Sequence, residues 1–161
     1  MRIVVRCAQG ALAFGLLLAL FACTRQIGDA CKSSIDCSQE TDRTCDIAQP
    51  GGYCTIEGCD ERSCPKGSAC IRFFPRLFID KPCNPAEQPG VCAPDEACVP
   101  GTDATFSCAP LRTERRYCAH TCNDNGDCRG GYVCRAAGTQ GSLAATLQPQ
   151  AKVSFCSPNT P

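Results

Sequence analysis

Cysteine constrains this chain more than any other residue type: 18 of its 161 residues are cysteine, about 11%, above the roughly 8–10% that marks a disulfide scaffold. Leu, Ile, Val and Phe supply only 19 of the 139 residues from Cys23 to Pro161, which is below the ~20% at which a chain struggles to bury enough apolar surface. A conventional cytosolic core is excluded, and cross-links must supply the order. None of the 17 intervals between successive cysteines is the two-residue gap typical of structural zinc sites, thioredoxin-type pairs or c-type haem attachment. The thiols are therefore read as disulfides formed in an oxidising compartment, with no metal and no cofactor expected.

The N-terminus carries Arg2 and Arg6 and then an apolar run of 12 residues, Ala11 to Ala22. This is the plan of a secretory signal peptide over residues 1–22, and it falls short of the about 20 apolar residues that a spanning helix needs. Leu20-Phe21-Ala22-Cys23 resembles a bacterial lipobox, with an aliphatic residue three positions before the cysteine and a small one just before it, although Phe21 is bulkier than usual. The resemblance implies a lipoprotein whose first mature residue is Cys23, acylated on its thiol; ordinary cleavage near Ala22 and an uncleaved anchor are the alternatives. Several acyl chains give a stable anchor where one myristoyl chain does not. By the sorting pattern of Gram-negative lipoproteins, Thr24 in place of Asp favours the outer membrane. Residues 23–30 form a tether reaching at most about 25 Å at ~3.3–3.6 Å per residue. Without Arg2 and Arg6 the chain has 14 basic and 16 acidic residues, which excludes a basic stripe for nucleic acid.

With Cys7 in the leader and Cys23 as the lipid site, 16 cysteines remain: Cys31, Cys37, Cys45, Cys54, Cys59, Cys64, Cys70, Cys83, Cys92, Cys98, Cys108, Cys118, Cys122, Cys128, Cys134 and Cys156. An even number closes into disulfides, here of unknown pairing. The residues between neighbours number 5, 7, 8, 4, 4, 5, 12 in the first eight and 5, 9, 9, 3, 5, 5, 21 in the second. Gly52-Tyr53-Cys54 matches Arg116-Tyr117-Cys118, and the stretch Cys64 to Cys70 matches Cys128 to Cys134. The expectation is an internal duplication: a module at 31–83, a linker at 84–91 holding two prolines and a glycine, a module at 92–156 and a tail at 157–161. One undivided domain is the alternative. Modules of this size rarely stand on a hydrophobic core alone, so each must close through its own disulfides.

The expected fold class is small and disulfide-rich, with short β-hairpins and little helix after the signal peptide. Strands are expected around Gly51–Ile56, Gly130–Arg135 and Lys152–Cys156. Residues 138–151 read as a loop, or as one helical turn from Leu143 to Leu147. The cysteine spacing, the Gly51-Gly52-Tyr53-Cys54-Thr55 stretch and Asp127-Cys128-Arg129 resemble cysteine-rich lipoproteins of Gram-negative bacteria. More distantly they resemble the N-terminal module of Dickkopf proteins and EGF-like or EB-type modules. That resemblance implies an exported interaction module and carries over no functional residue.

Few residues could carry chemistry. His120, inside Cys118-Ala119-His120-Thr121-Cys122, has no recognisable nucleophile motif around it and reads as a surface histidine. Asn123 to Asp127 bunches oxygens that calcium would want, yet lacks the EF-hand order; an Asn-Gly turn is the better reading. Ile71 to Ile79 concentrates Phe73, Phe74 and Phe78 beside Leu77, either the apolar plug of the first module or an exposed patch for a partner or lipid. The function expected is that of a membrane-anchored, non-enzymatic envelope protein that binds or spaces an unknown envelope or extracellular partner. The alternative is an inhibitor of a secreted hydrolase acting through one inter-cysteine loop.

Overall fold

The computed structural model describes residues 25–40, 42–75, 81–87, 91–100, 105–139, 142–144 and 152–159. Cys7, the signal peptide and Cys23 lie outside the described residues, as do Leu77 and Phe78. The elements are short: a four-residue helix α1 (Ser34–Cys37) and the strands β1 (Thr44–Asp46), β2 (Tyr53–Thr55), β3 (Ser68–Phe73), β4 (Lys81–Pro82), β5 (Glu96–Pro100), β6 (Phe106–Pro110), β7 (Arg115–His120), β8 (Tyr132–Ala136), β9 (Ser142–Ala144) and β10 (Ser154–Pro158). Among the described residues no helix is long and apolar enough to cross a membrane. The expected class is found: disulfide-rich, built of antiparallel hairpins, with almost no helix.

All 16 cysteines from Cys31 onward are cross-linked, and one rule repeats four times. Within each quartet the first cysteine bonds the third and the second bonds the fourth: Cys31–Cys45 with Cys37–Cys54, Cys59–Cys70 with Cys64–Cys118, Cys83–Cys98 with Cys92–Cys108, and Cys122–Cys134 with Cys128–Cys156. In every quartet the third and fourth cysteines face each other across an antiparallel ladder: Cys45 and Cys54 on β1–β2, Cys70 and Cys118 on β3–β7, Cys98 and Cys108 on β5–β6, Cys134 and Cys156 on β8–β10. Each hairpin is thus stapled from below by the two cysteines that precede it.

Local chemistry explains why the staple recurs. Before the third cysteine of three quartets the chain makes the same turn, the N–H of Ser68, Glu96 and Tyr132 donating to the carbonyls of Pro65 (3.1 Å), Ala93 (2.9 Å) and Arg129 (3.1 Å). The third turn position has φ of +83° at Gly67 and +85° at Gly131, a left-handed backbone that glycine adopts without cost. Before the second cysteine a carboxylate gathers free amides: Asp36 Oδ2 accepts from Lys32 N (2.8 Å) and Ser33 N (3.0 Å), and Asp127 Oδ2 from Asn123 N (2.8 Å) and Asp124 N (3.4 Å). Those backbone bonds hold both carboxyls below their ordinary range. Asp127 is therefore occupied in shaping a turn that includes a 3-10 segment, Asn125–Asp127, in keeping with the turn reading of 123–127.

The quartets are not strung like beads. The third sits in the excursion between Cys70 and Cys118, so the second closes only after the third is complete. Strand β7 is the shared centre: it pairs with β3, forms a bridge to Glu57 through Tyr117, and receives Thr55 Oγ1 on the Cys118 carbonyl at 2.8 Å. Thr121, just after β7, bridges to Phe155 of β10. Around this centre the first, second and fourth quartets bury Ile27, Tyr53, Cys59, Cys70, Cys118, Cys122, Tyr132 and Cys156 in one cluster. The third quartet has its own three-stranded sheet, β4–β6–β5, and a separate small core of Phe74, Val99 and Ala109.

Three expectations need correction. The disulfides do not divide at 84–91: Cys64–Cys118 joins the two expected modules and Cys83–Cys98 spans the linker. The repeating element is a cysteine quartet of half the expected size, and the local matches seen in sequence join equivalent positions of different quartets. The tether is not free from residue 26 on, because Ile27 is 4% exposed and Gly28 N donates to Cys54 O while Cys54 N donates to Asp29 O, each at 2.9 Å. Leu143 lies in β9 against β3 rather than in a helical turn. Of the two readings of Ile71 to Ile79, the apolar plug describes Phe74, which is buried, though against Val99 of the third quartet; Phe73 is half-buried.

Candidate functional site: an aromatic cleft

The residue preceding the fourth cysteine is Tyr53, Tyr117, Ser107 and Phe155 in the first, second, third and fourth quartets, which end at Cys54, Cys118, Cys108 and Cys156. In a strand neighbouring side chains point to opposite faces. A cysteine committed to the staple therefore turns its aromatic neighbour to the other side of the ladder. In the first, second and fourth quartets that other side is common ground. Tyr53, Tyr117 and Phe155 converge there with Phe73 from β3 and Tyr132 from β8, lining a partly open cleft of about 70 Å³.

The rings pack within the range of favourable aromatic contacts. Phe73 meets Phe155 edge-on at 5.7 Å between centroids and Tyr117 at 6.1 Å, and Tyr53 lies 5.5 Å from Tyr132. Polar lining includes Asp46 and Gln49. Asp46 stands directly opposite Tyr53 across the β1–β2 ladder, so the two side chains share a face. Asp46 Oδ1 accepts from Ala48 N at 3.0 Å. Among the described residues no Lys or Arg lies within ion-pair distance of this carboxylate.

Electrostatics agrees with that placement. Burial pushes the Tyr53 hydroxyl up to about 12, against the opposing effect of the His120 N–H that it accepts at 2.9 Å. Tyr117 is raised by burial and then by Glu57 and Asp46. Tyr132 is raised by burial, with Arg129 opposing and Asp46 adding. The Asp46 charge is thus felt at two of the three phenols.

Tyr53 and Tyr132 also form a wall. Behind them a second cavity is lined by Ile27, His120, Asp127 and Arg129. The Arg129 guanidinium lies 4.1 Å from the Tyr132 ring centroid and 5.9 Å from that of Tyr53. It donates to Tyr132 Oη at 2.7 Å, to Pro50 O at 2.9 Å and to Gly52 O. Arg129 therefore clamps the fourth quartet onto the first from the second cavity, outside the lining of the cleft.

Of the residues singled out in sequence, Phe73 lines the cleft and Phe74 does not, while Cys23, Leu77 and Phe78 lie outside the described residues. His120 is half-buried in the second cavity. Sulfurs of Cys31, Cys37 and Cys45, and of three further trios, lie within 4.8 Å of one another as a metal site would require, yet each is already bonded to another sulfur. Sequence reasoning missed Asp46, Tyr53, Tyr117, Tyr132 and Phe155 as a group. The available signal was the aromatic-cysteine dipeptide recurring at Tyr53-Cys54, Tyr117-Cys118 and Phe155-Cys156. No family profile, curated protein or solved structure matches the chain.

Proposed function

We propose that this is a lipid-anchored, non-enzymatic binding or structural protein of the cell envelope, and that the aromatic cleft is its binding site. The leader at 1–22 directs export, and acylated Cys23 holds the chain on a membrane, the outer membrane of a Gram-negative cell. The observation that carries the reading is the completeness of the cross-linking. Every cysteine from Cys31 to Cys156 is consumed in eight disulfides, which suits an oxidising compartment and leaves Cys23 as the odd thiol of the mature chain. The same bonds leave no thiol nucleophile among those sixteen. Because residues 26–30 pack onto the first quartet, the folded part is held close to the lipid.

Intact mass of the exported protein, before and after reduction and alkylation, tests the anchor. The expected result is sixteen thiols that alkylate only after reduction and a Cys23 carrying acyl mass. Free thiols at most positions, or an unmodified Cys23, overturn it. Photo-crosslinking from Gln49 in intact envelopes tests the binding role, the expected result being one dominant adduct that is lost when the cleft is altered by Tyr117→Leu.

A further inference from the structure

We propose that the cleft binds a small organic cation of the quaternary-ammonium class; this rests on the cleft being the binding site, and names what it takes. Three features converge. The lining is dominated by five aromatic rings, and aromatic faces attract a cation most strongly where water is displaced. Five of the eight aromatic residues that follow Cys23 are gathered here, contributed by three separate quartets. Second, the cleft contains a half-buried carboxylate, Asp46, without a Lys or Arg in ion-pair reach among the described residues. Third, one wall ring already stacks against a cation on its far face: Arg129 lies 4.1 Å from the Tyr132 centroid, on the side of the second cavity.

Size and hydrogen bonding narrow the class. The cleft leaves about 70 Å³ for the centres of water-sized molecules, room for several waters. The space therefore suits a compact head of a few heavy atoms, such as a trimethylammonium group. A primary ammonium brings three N–H donors that need acceptors. Ring faces do not satisfy them, and one oxygen of Asp46 is already engaged by Ala48 N, so a primary ammonium would depend on the other Asp46 oxygen, Gln49 and the tyrosine hydroxyls at the margins. A methylated ammonium carries charge and no donor, so it loses nothing on leaving water that the cleft fails to replace.

The chain holds no tryptophan and three tyrosines, all three of which line the cleft. Their absorbance and fluorescence are a built-in reporter. The full-length exported protein in a nonionic detergent is titrated at constant ionic strength with choline and, separately, with 3,3-dimethylbutanol, its neutral isostere. The expected result is a saturable tyrosine signal with choline and binding of the isostere at least about tenfold weaker, the scale of a desolvated cation–aromatic contact. Asp46→Asn retains the acceptor for Ala48 N and is expected to weaken choline about two- to fivefold, the scale of a partly exposed ion pair, while leaving the isostere unchanged. A melting curve confirms that this variant is folded.

A short-chain phosphatidylcholine below its micellar concentration separates the sources: tighter binding than choline assigns a lipid headgroup, and weaker binding assigns a free solute. The inference is overturned if choline gives no saturable signal, or if the isostere binds as well as choline. In the latter case, or where envelope adducts persist without choline binding, the binding role stands and only the cation falls.

Discussion

The third quartet and the other three obey the same cross-linking rule and end in different architecture. All four staple a hairpin through its third and fourth cysteines. In three of them the residue before the last cysteine is aromatic and faces its counterparts. In the third it is Ser107, and no described residue from 83 to 108 lines the cleft. That quartet instead packs with Phe74 in a separate small core around Val99, 0% exposed. The disulfides thus determine that hairpins form, while one neighbouring position determines whether a hairpin contributes to a shared surface. Deleting bonds on either side of this division is the most forceful way to break the comparison. Cys64→Ser with Cys118→Ser opens a bridge of sequence separation 54, and Cys83→Ser with Cys98→Ser one of 15. On chain-entropy grounds the losses are about 4 and about 3 kcal/mol, upper figures because the other bridges shorten the open loops. The first pair should also erase the near-ultraviolet circular dichroism of the tyrosines, since Cys118 adjoins Tyr117 at the centre of the fold. The second should spare it.

The fold class was readable because cysteine count and apolar poverty act on the whole chain and need no contact map. Three of the expected strands were found, as β2, β8 and β10, since a glycine turn before β-prone residues is a local signal. The pairing was not readable. Spacing alone presented two series of eight, whereas the closing partner of Cys64 lies beyond an inserted quartet. An insertion inside a hairpin is tolerated because the entropy of closing a loop rises only slowly with its length, so sequence distance gave no warning of it. The cleft depended on the same information: Tyr53, Tyr117 and Phe155 share a face only once their quartets are docked around β7. The packing partner of Phe74 was unreadable for the related reason that β3 ends against the inserted core.

Glycine substitutions sharpen the division between docking and local turn formation. An ideal Cβ on Gly52 would lie 2.0 Å from the Cys31 carbonyl oxygen, with φ of +69°; Gly52→Ala must shift backbone against backbone and should cost about 3 kcal/mol or more. Gly67 has φ of +83° with nothing within 4 Å of its Cβ, so Gly67→Ala should cost only about 1 kcal/mol, the left-handed penalty alone. Equal melting shifts in the two variants would contradict this. The tyrosines test docking by pH. Burial raises the Tyr53 phenol from 10.0 to about 12, so folding favours its protonated form. The stabilisation is complete below pH 10 and is lost between pH 10 and 12, on the order of 3 kcal/mol across that window. A stopped-flow absorbance titration, fast enough to precede alkaline attack on disulfides, should show Tyr53 ionising last. Ionisation of all three tyrosines together near pH 10 would mean that the cleft wall is open to water.

Val99→Ala bears most directly on whether the third quartet is separate. Val99 packs with Phe74 and Ala109, with Ala97 and Leu143 at the margin. Removing two buried methyl groups forfeits about 1.6 kcal/mol of transfer free energy, and the cavity raises the cost to about 2 kcal/mol. The cluster shares no residue with the one formed by Ile27, Tyr53 and Tyr132. Amide exchange should therefore accelerate in β5 and β6 while the tyrosine signals and choline response stay unchanged. Thr55 is the opposite case: 1% exposed, it lines the cleft and donates to the Cys118 carbonyl. Thr55→Val keeps the shape and deletes that one bond, worth about 1 kcal/mol, so its stability loss should be no larger than that of Val99→Ala. Yet it should disturb the tyrosine spectrum, because it loosens β2 from β7. If Val99→Ala disturbed the tyrosines as much as Thr55→Val does, the inserted quartet would be part of the cleft's support, and the serine at position 107 would no longer explain the difference between the two regions.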